Sequence, residues 1–386
     1  MITYDFLLAT RRDIVMKKLA GIVIIVLLGI LGVGCMFPVH SRAEIPPVRA
    51  DEKLLADLPD EESKAVRFLQ GPLQTPEGIL FYLADLKSKA SYSVSESMGQ
   101  AMEYAALEGD RALFDYYAQV TQAYFKAPSG YYYWKIDIES KRGETTSALV
   151  DDLRIARAYL AANERFGGVY QQELQAMSDI MLKTDIDKNG NPCDFYDGAA
   201  NAPADTVSLF YLDVETMDRL CALDKRWAKT TAVAHRILRQ MPENDYGFYS
   251  PTYSYAKQRY VETDSINMVE NLYTAIDAFN AGKNTRLFEK FLQQQVRKGK
   301  IYNHYNMDGS PADEDESTAV YALAARFLTL CQDKKAAAWC RDRTLAFQIG
   351  DDGTFAGGFG DQDTGLVYAF DQLEALLMLR TVDMGL

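Results

Sequence analysis

Three acidic side chains stand where apolar helical stripes begin: Glu96, Asp152 and Asp264. Carboxyls in such places do one of two things. They cap the helix and complement its dipole, or they reach past it and move a proton on a bound substrate. Ser93 followed three residues later by Glu96 has the spacing of a capping box, which puts Glu96 in a first helical turn. Met98, Ala101, Met102, Ala105 and Ala106 then share one face. Gly109 ends that helix, and Asp110 caps another whose stripe is Leu113, Tyr116, Tyr117, Val120 and Tyr124. Asp264 precedes a helix with Ile266, Val269, Leu272, Tyr273 and Ile276 on its apolar side, and an N-cap accounts for it equally well. Asp152 falls in the first turn of the segment 148–166, where an acid suits the dipole.

The elements that must position these groups are helical. Helices are expected near 61–70, 75–88, 95–108, 111–126, 147–165, 169–183, 205–222, 225–240, 265–280, 284–297, 316–331, 334–346 and 364–380. They are of similar length and joined by loops of very unequal length. That pattern points to an all-α fold, an (α/α)6 barrel of paired inner and outer helices, with the long loops gathered at one end around a cleft. No internal sequence repeat marks the pairs.

Four segments are expected: 1–18 as a cytoplasmic N-terminus, 19–37 as a transmembrane or signal helix, 38–60 as a linker, and 61–386 as the barrel. Residues 19–37 are almost unbroken apolar sequence, long enough to cross a bilayer, and Arg11, Arg12, Lys17 and Lys18 before them keep the N-terminus inside. The domain then lies at the extracellular face of the membrane, held by an uncleaved anchor. Cleavage after Ala43 and lipidation of Cys35 are the other two routes, although Gly32 is a poor residue three places before a lipidated cysteine.

The 386 residues are 48% hydrophobic, enough for a sizeable core. A net charge of -13 argues against nucleic acid and against a grip on anionic headgroups. Three His and five Cys show no zinc spacing, and the stretch 187–198, which resembles a calcium loop, has Gly198 where the twelfth-position Glu belongs. Neither metal nor cofactor is expected. Cys331 and Cys340 flank a short turn and could be bridged; packing as core thiols is the other reading. With 24 Tyr and 18 Phe, aromatic rings are available both for the core and for walls that take sugar faces.

Several motifs in order resemble glycoside hydrolase family 8. Ser95-Glu96, Gly109-Asp110 and Ala112-Leu113-Phe114-Asp115 match its general-acid segment. Ala148, Asp152, Ile155-Ala156, Ala158, Ala162 and Phe166 match its Asp signature, with Val150 in place of the first signature Asp. Asp224 and Trp227 match a later Asp-x-x-Trp helix, and Thr263-Asp264-Ser265 the base segment, with Asn267 where the family has Arg. The resemblance spans about 93–279. It implies inverting endo-hydrolysis of a β-linked polysaccharide, with Glu96 as general acid and Asp264 as general base. Two such carboxyls stand about 6.5–9.5 Å apart, leaving room for a water. It further implies Asp152, Trp134 and Tyr211 as substrate contacts. Core packing competes as a reading of Trp134, and Asp151 or Asp152 is available to fill the gap at Val150. Because Glu96 sits at a helix N-terminus, which favours ionisation, burial or a neighbouring carboxyl such as Asp152 must keep it protonated.

A tethered hydrolase of this type resembles those that accompany bacterial exopolysaccharide synthesis, so the implied partners are the polymer, the membrane and the synthesis machinery. Two other readings stand: a catalytically silent polysaccharide-binding subunit, and an (α/α)6 polysaccharide lyase, against which the scarcity of His argues.

Overall fold

The computed structural model describes residues 45–350 and 353–383. The expected membrane segment 19–37, Ala43 and Cys35 lie outside the described residues. Among those described, no helix is long and apolar enough to cross a membrane.

Thirteen α-helices occur among the described residues: α1 (Glu52–Asp57), α2 (Asp60–Leu69), α3 (Ser95–Glu108), α4 (Arg111–Phe125), α5 (Leu149–Phe166), α6 (Gln171–Thr184), α7 (Val214–Leu223), α8 (Ala228–Gln240), α9 (Met268–Asn280), α10 (Arg286–Lys298), α11 (Thr318–Leu330), α12 (Lys334–Leu345) and α13 (Ala369–Asp383). Helices α3, α5, α7, α9, α11 and α13 pack each against the next, and α13 returns to α3. The ring is therefore closed, with α9 standing opposite α3. The second helix of each pair lies outside it, and α2 backs α13. Burial separates the two layers. Every residue from Ser95 to Ala106 of α3 is buried, whereas α10 buries only Phe288, Phe291, Leu292 and Gln295. This is the expected all-α barrel.

Three expectations need correction. Residues 75–88 form no helix: Thr75 and Gly78 make a turn, the latter with φ 92°, and the chain runs on into a short strand. The front of 205–222 is a strand and a 3₁₀ turn, Leu209–Tyr211, before α7 begins. The linker 38–60 contains α1, capped by Asp51, whose side chain accepts from the Lys53 N–H.

Eleven short strands occur among the described residues: β1 (Leu83–Ala84), β2 (Tyr92–Val94), β3 (Lys135–Asp137), β4 (Tyr196–Asp197), β5 (Ala202–Pro203), β6 (Thr206–Ser208), β7 (Thr252–Ser254), β8 (Arg259–Tyr260), β9 (Ser265–Asn267), β10 (His304–Asn306) and β11 (Val367–Tyr368). They pair antiparallel as β1–β11, β2–β3, β4–β5, β6–β7–β8 and β9–β10. Strands β2, β9 and β11 run directly into α3, α9 and α13. These ribbons rim the end of the ring where the inner helices begin.

Polar side chains meet along the axis in layers. Gln100, Arg154, Tyr273 and Glu374 are each the sixth residue of their helix. Gln100 Nε2 donates to Glu374 at 2.6 Å, the Tyr273 hydroxyl donates to the same carboxylate, and the Arg154 guanidinium lies 5.0 Å from the Tyr273 ring centre. Contacts at two levels, Ser95 with Asp151 and Glu103 with Arg157, show that α3 and α5 run the same way, in register. About one turn further along, Arg157 pairs with Asp213 and lies 3.9 Å from Glu103, while Arg326 reaches back to Glu374 at 3.0 Å. One turn nearer the helix starts stand Glu96, Asp151, Glu270 and Asp371, around the mouth.

Candidate active site

Glu96 is the second residue of α3 and is 8% exposed. The capping box does not form. Val94 is the N-cap, and the Ser93 hydroxyl, buried in β2, has no hydrogen-bond partner. The helix start is held from outside instead. Ser95 N–H donates to the Trp134 carbonyl at 2.9 Å, and its hydroxyl donates to Asp151 at 2.8 Å. The Glu96 side chain forms an ion pair with Arg154.

Asp151, 3.9 Å from Arg154, is fully buried. Burial and then the charge of Glu96 push its carboxyl up to about 8. The acidic neighbour of Glu96 is thus Asp151, where Asp152 was expected. Asp152 sits one residue on, about 100° around the helix, and is sealed against Asp185 at the end of α6. The two carboxyls share a hydrogen bond, which requires one of them to keep its proton. Burial, then the charge of Asp185, raises Asp152, and burial brings Asp185 to about 6.

A carboxyl raised in the folded state binds more protons than in the unfolded chain, so its stabilising contribution is complete below the unfolded value and is lost as pH rises through the folded one. For Asp185 that window is 3.8 to about 6. Asp152→Asn keeps a donor for the shared hydrogen bond without titrating. It should therefore be on the order of 1–3 kcal/mol more stable than the parent at pH 8, with little difference near pH 4, read from urea midpoints at both pH values.

Tyr211 is buried in the 3₁₀ turn that packs against α5 and α9, and burial followed by the charges of Asp194, Asp151 and Glu96 drives its hydroxyl upward. The backbone carbonyl of Trp134 meets the start of α3 at Ser95, and the residue is half-buried. Val150 lines a cavity of about 40 Å³ with Arg154, Phe210 and Tyr273, and presents only methyl groups there.

Asp264 is exposed, just before β9, with its backbone carbonyl accepting from the Met307 N–H at 3.1 Å. It does not cap α9. That is done by Asn267, whose side chain accepts from Val269 and Glu270 at 2.8 and 3.3 Å. The segment bearing Asp264 feeds the helix opposite Glu96. With neighbouring axes about 8–10 Å apart, opposite axes in a ring of six stand roughly 16–20 Å apart, room for a sugar chain across the ring.

Two mouth carboxyls were missed from the sequence. Glu270 shares the axial face of α9 with Tyr273 and Asp277, a spacing of three and seven residues, and burial lifts it to about 7. Asp371 accepts from the Ala319 N–H at 2.8 Å and is brought to about 6, also by burial. Helical spacing from Tyr273 would have found the first.

Other groups flagged in the sequence are structural. Trp227 is buried and donates to Ser178 at 2.8 Å, and Asp187 closes a turn by accepting from Asn189 and Asn191. Cys193, Cys221, Cys331 and Cys340 are all free thiols.

A closed ring of six inner helices with carboxyls at its mouth is the architecture of the family 8 glycoside hydrolases, and this chain has that fold. It superposes on endoglucanase Cel10 of Klebsiella pneumoniae, a family 8 glycosyl hydrolase, with TM-score 0.60 and 16% identity, covering 84% of this chain and 99% of that one. A structure described as a novel alpha-amylase from Clostridium perfringens aligns with TM-score 0.76 and 24% identity, over 83% and 96% of the two chains. In sequence, the chain is 29% identical over 323 residues to YdaJ of Bacillus subtilis, named as a candidate lipoprotein, covering 81% of this chain and 85% of that protein. No protein-family model matches.

Proposed function

We propose that the protein is an inverting endo-glycoside hydrolase that cleaves a β-linked bacterial exopolysaccharide, with Glu96 as general acid and Asp264 as general base. The observation that carries this reading is the placing of Glu96, at the ring mouth beside the proton-holding Asp151 and across from the segment bearing Asp264. Arg154 favours the ionised form of a carboxyl, so Glu96 and Asp151 compete for one cation. Between them the pair retains a proton at neutral pH, and Glu96 is its more exposed member. Glu96 passes that proton to the glycosidic oxygen as the bond to the anomeric carbon breaks. Asp264 takes a proton from the water that attacks the opposite face. Tyr211 and Trp134 contact the sugars. Of the two acids available to fill the gap at Val150, Asp151 is the one beside Arg154.

The domain works at the outer face of the membrane, alongside exopolysaccharide synthesis. The naming of YdaJ as a candidate lipoprotein favours lipidation of Cys35 as the anchor over an uncleaved span. The alpha-amylase neighbour favours a second reading of the substrate, an α-linked glucan.

The test is proton NMR of the first-formed reducing ends during digestion of the host's own exopolysaccharide. Inverting cleavage of a β-linked polymer yields the α-anomer first, and inverting cleavage of an α-linked polymer yields the β-anomer. Retention, or unsaturated ends absorbing in the ultraviolet, refutes the proposal.

A further inference from the structure

The wall of the mouth beside Glu96 is aromatic and carries a cation. Lys135 in β3 is the cross-strand partner of Val94, two residues before Glu96. Its ammonium lies 4.4 Å from the ring centre of Tyr92 and 5.6 Å from that of Trp134. Tyr82 stacks on Tyr92 with centres 4.9 Å apart and planes at 24°, and Tyr368 meets Tyr82 edge-on at 5.8 Å. All five side chains are half-buried. The wall adjoins the acid: burial, then the charges of Tyr92 and Glu96, raise the Tyr82 hydroxyl. Asp137, opposite Tyr92 in the ribbon, is engaged by the Ser140 N–H at 2.8 Å and its hydroxyl at 2.7 Å.

Ring faces of this kind take the apolar faces of sugars, and an ammonium at their edge takes an anion. The surroundings make the cation informative. The chain carries a net charge of -13, which disfavours a polyanion overall, so a lysine set against sugar-binding rings beside Glu96 is a local exception to that field. We propose that Tyr82, Tyr92, Trp134, Tyr368 and Lys135 form a subsite for a sugar residue bearing an anionic substituent, a carboxylate or a phosphate ester, with the ring on the aromatic faces and the charge at Lys135 Nζ. This deepens the hydrolase reading and rests on it for the nature of the ligand as a glycan.

The test is calorimetric binding by the full-length protein to polymers matched in backbone. Carboxymethyl cellulose, phosphorylated cellulose and hydroxyethyl cellulose form one set; carboxymethyl starch and soluble starch form another. At low salt the anionic member of at least one set should bind about ten-fold tighter than its neutral counterpart, as a charge-assisted contact allows. The ratio should shrink as salt is raised. Lys135→Met, which leaves the stem over the rings and removes the charge, should bring the ratio to about one with the melting temperature retained, and Lys135→Arg should restore it. The carboxymethyl and phosphoryl arms separate the two anions. No anionic preference in the parent, or one that survives Lys135→Met, overturns the inference. Binding is read independently of cleavage. A Lys135-dependent preference in a protein that leaves the host exopolysaccharide uncut keeps the subsite standing and refutes the hydrolase. Cleavage without such a preference does the reverse.

Discussion

Glu96→Gln should leave the domain folded and lower polymer cleavage by about 10³-fold, the usual worth of a positioned general acid. The amide keeps an oxygen for Arg154 and fills the same volume, so melting temperature should stay within a few degrees. What it lacks is a proton to give. The parent's pH profile carries the same information. Asp151 holds its proton up to about 8 beside Glu96, so cleavage should fall as pH rises past that point. Full activity of Glu96→Gln on the host polymer would remove the assignment.

Arg154→Met should destabilise the fold by about 3–5 kcal/mol at pH 7, measured by urea unfolding. The side chain is buried between Glu96, Asp151 at 3.9 Å, the Tyr273 ring and Phe370, whose ring centre is 5.9 Å away. Methionine fills a similar volume against the rings but leaves buried carboxyls without their cation. Removing one partner of a buried cluster costs more than the cluster contributes, because the remaining charge cannot reach water. The loss should widen above pH 8, where Asp151 of the parent ionises beside Arg154 and the variant has no cation for it.

Much of the fold was legible in the sequence because the inner and outer helices are written differently. An inner helix such as α11 is apolar from Thr318 to Leu328 with hardly a break, and an outer helix such as α10 alternates Phe288, Phe291 and Leu292 with charge. The misread stretch 75–88 carried its own warning in Pro76 and Gly78, masked by Ile79, Leu80, Leu83 and Leu86 at helix-like spacing. The site was less legible. Glu96, Trp134 and Tyr211 were named from motif matches alone. Asp151 and Asp152 could not be told apart there, because register along a motif does not say which of two adjacent carboxyls turns to Arg154 and which to Asp185. Arg154 and Glu270 escaped for a related reason. A charged residue within an apolar stripe looks like an exposed one until the ring closes, and only closure turns that face inward onto five other helices.

The two acids across one ring are tested most directly by reducing-end release from the host polymer with Asp264→Asn, beside Glu270→Gln. The account predicts that Asp264→Asn binds the polymer as the parent does and cleaves it about 10³-fold more slowly, while Glu270→Gln retains substantial activity. Parent-like cleavage by Asp264→Asn, with loss of it in Glu270→Gln, would contradict the pairing and move the base to α9 itself.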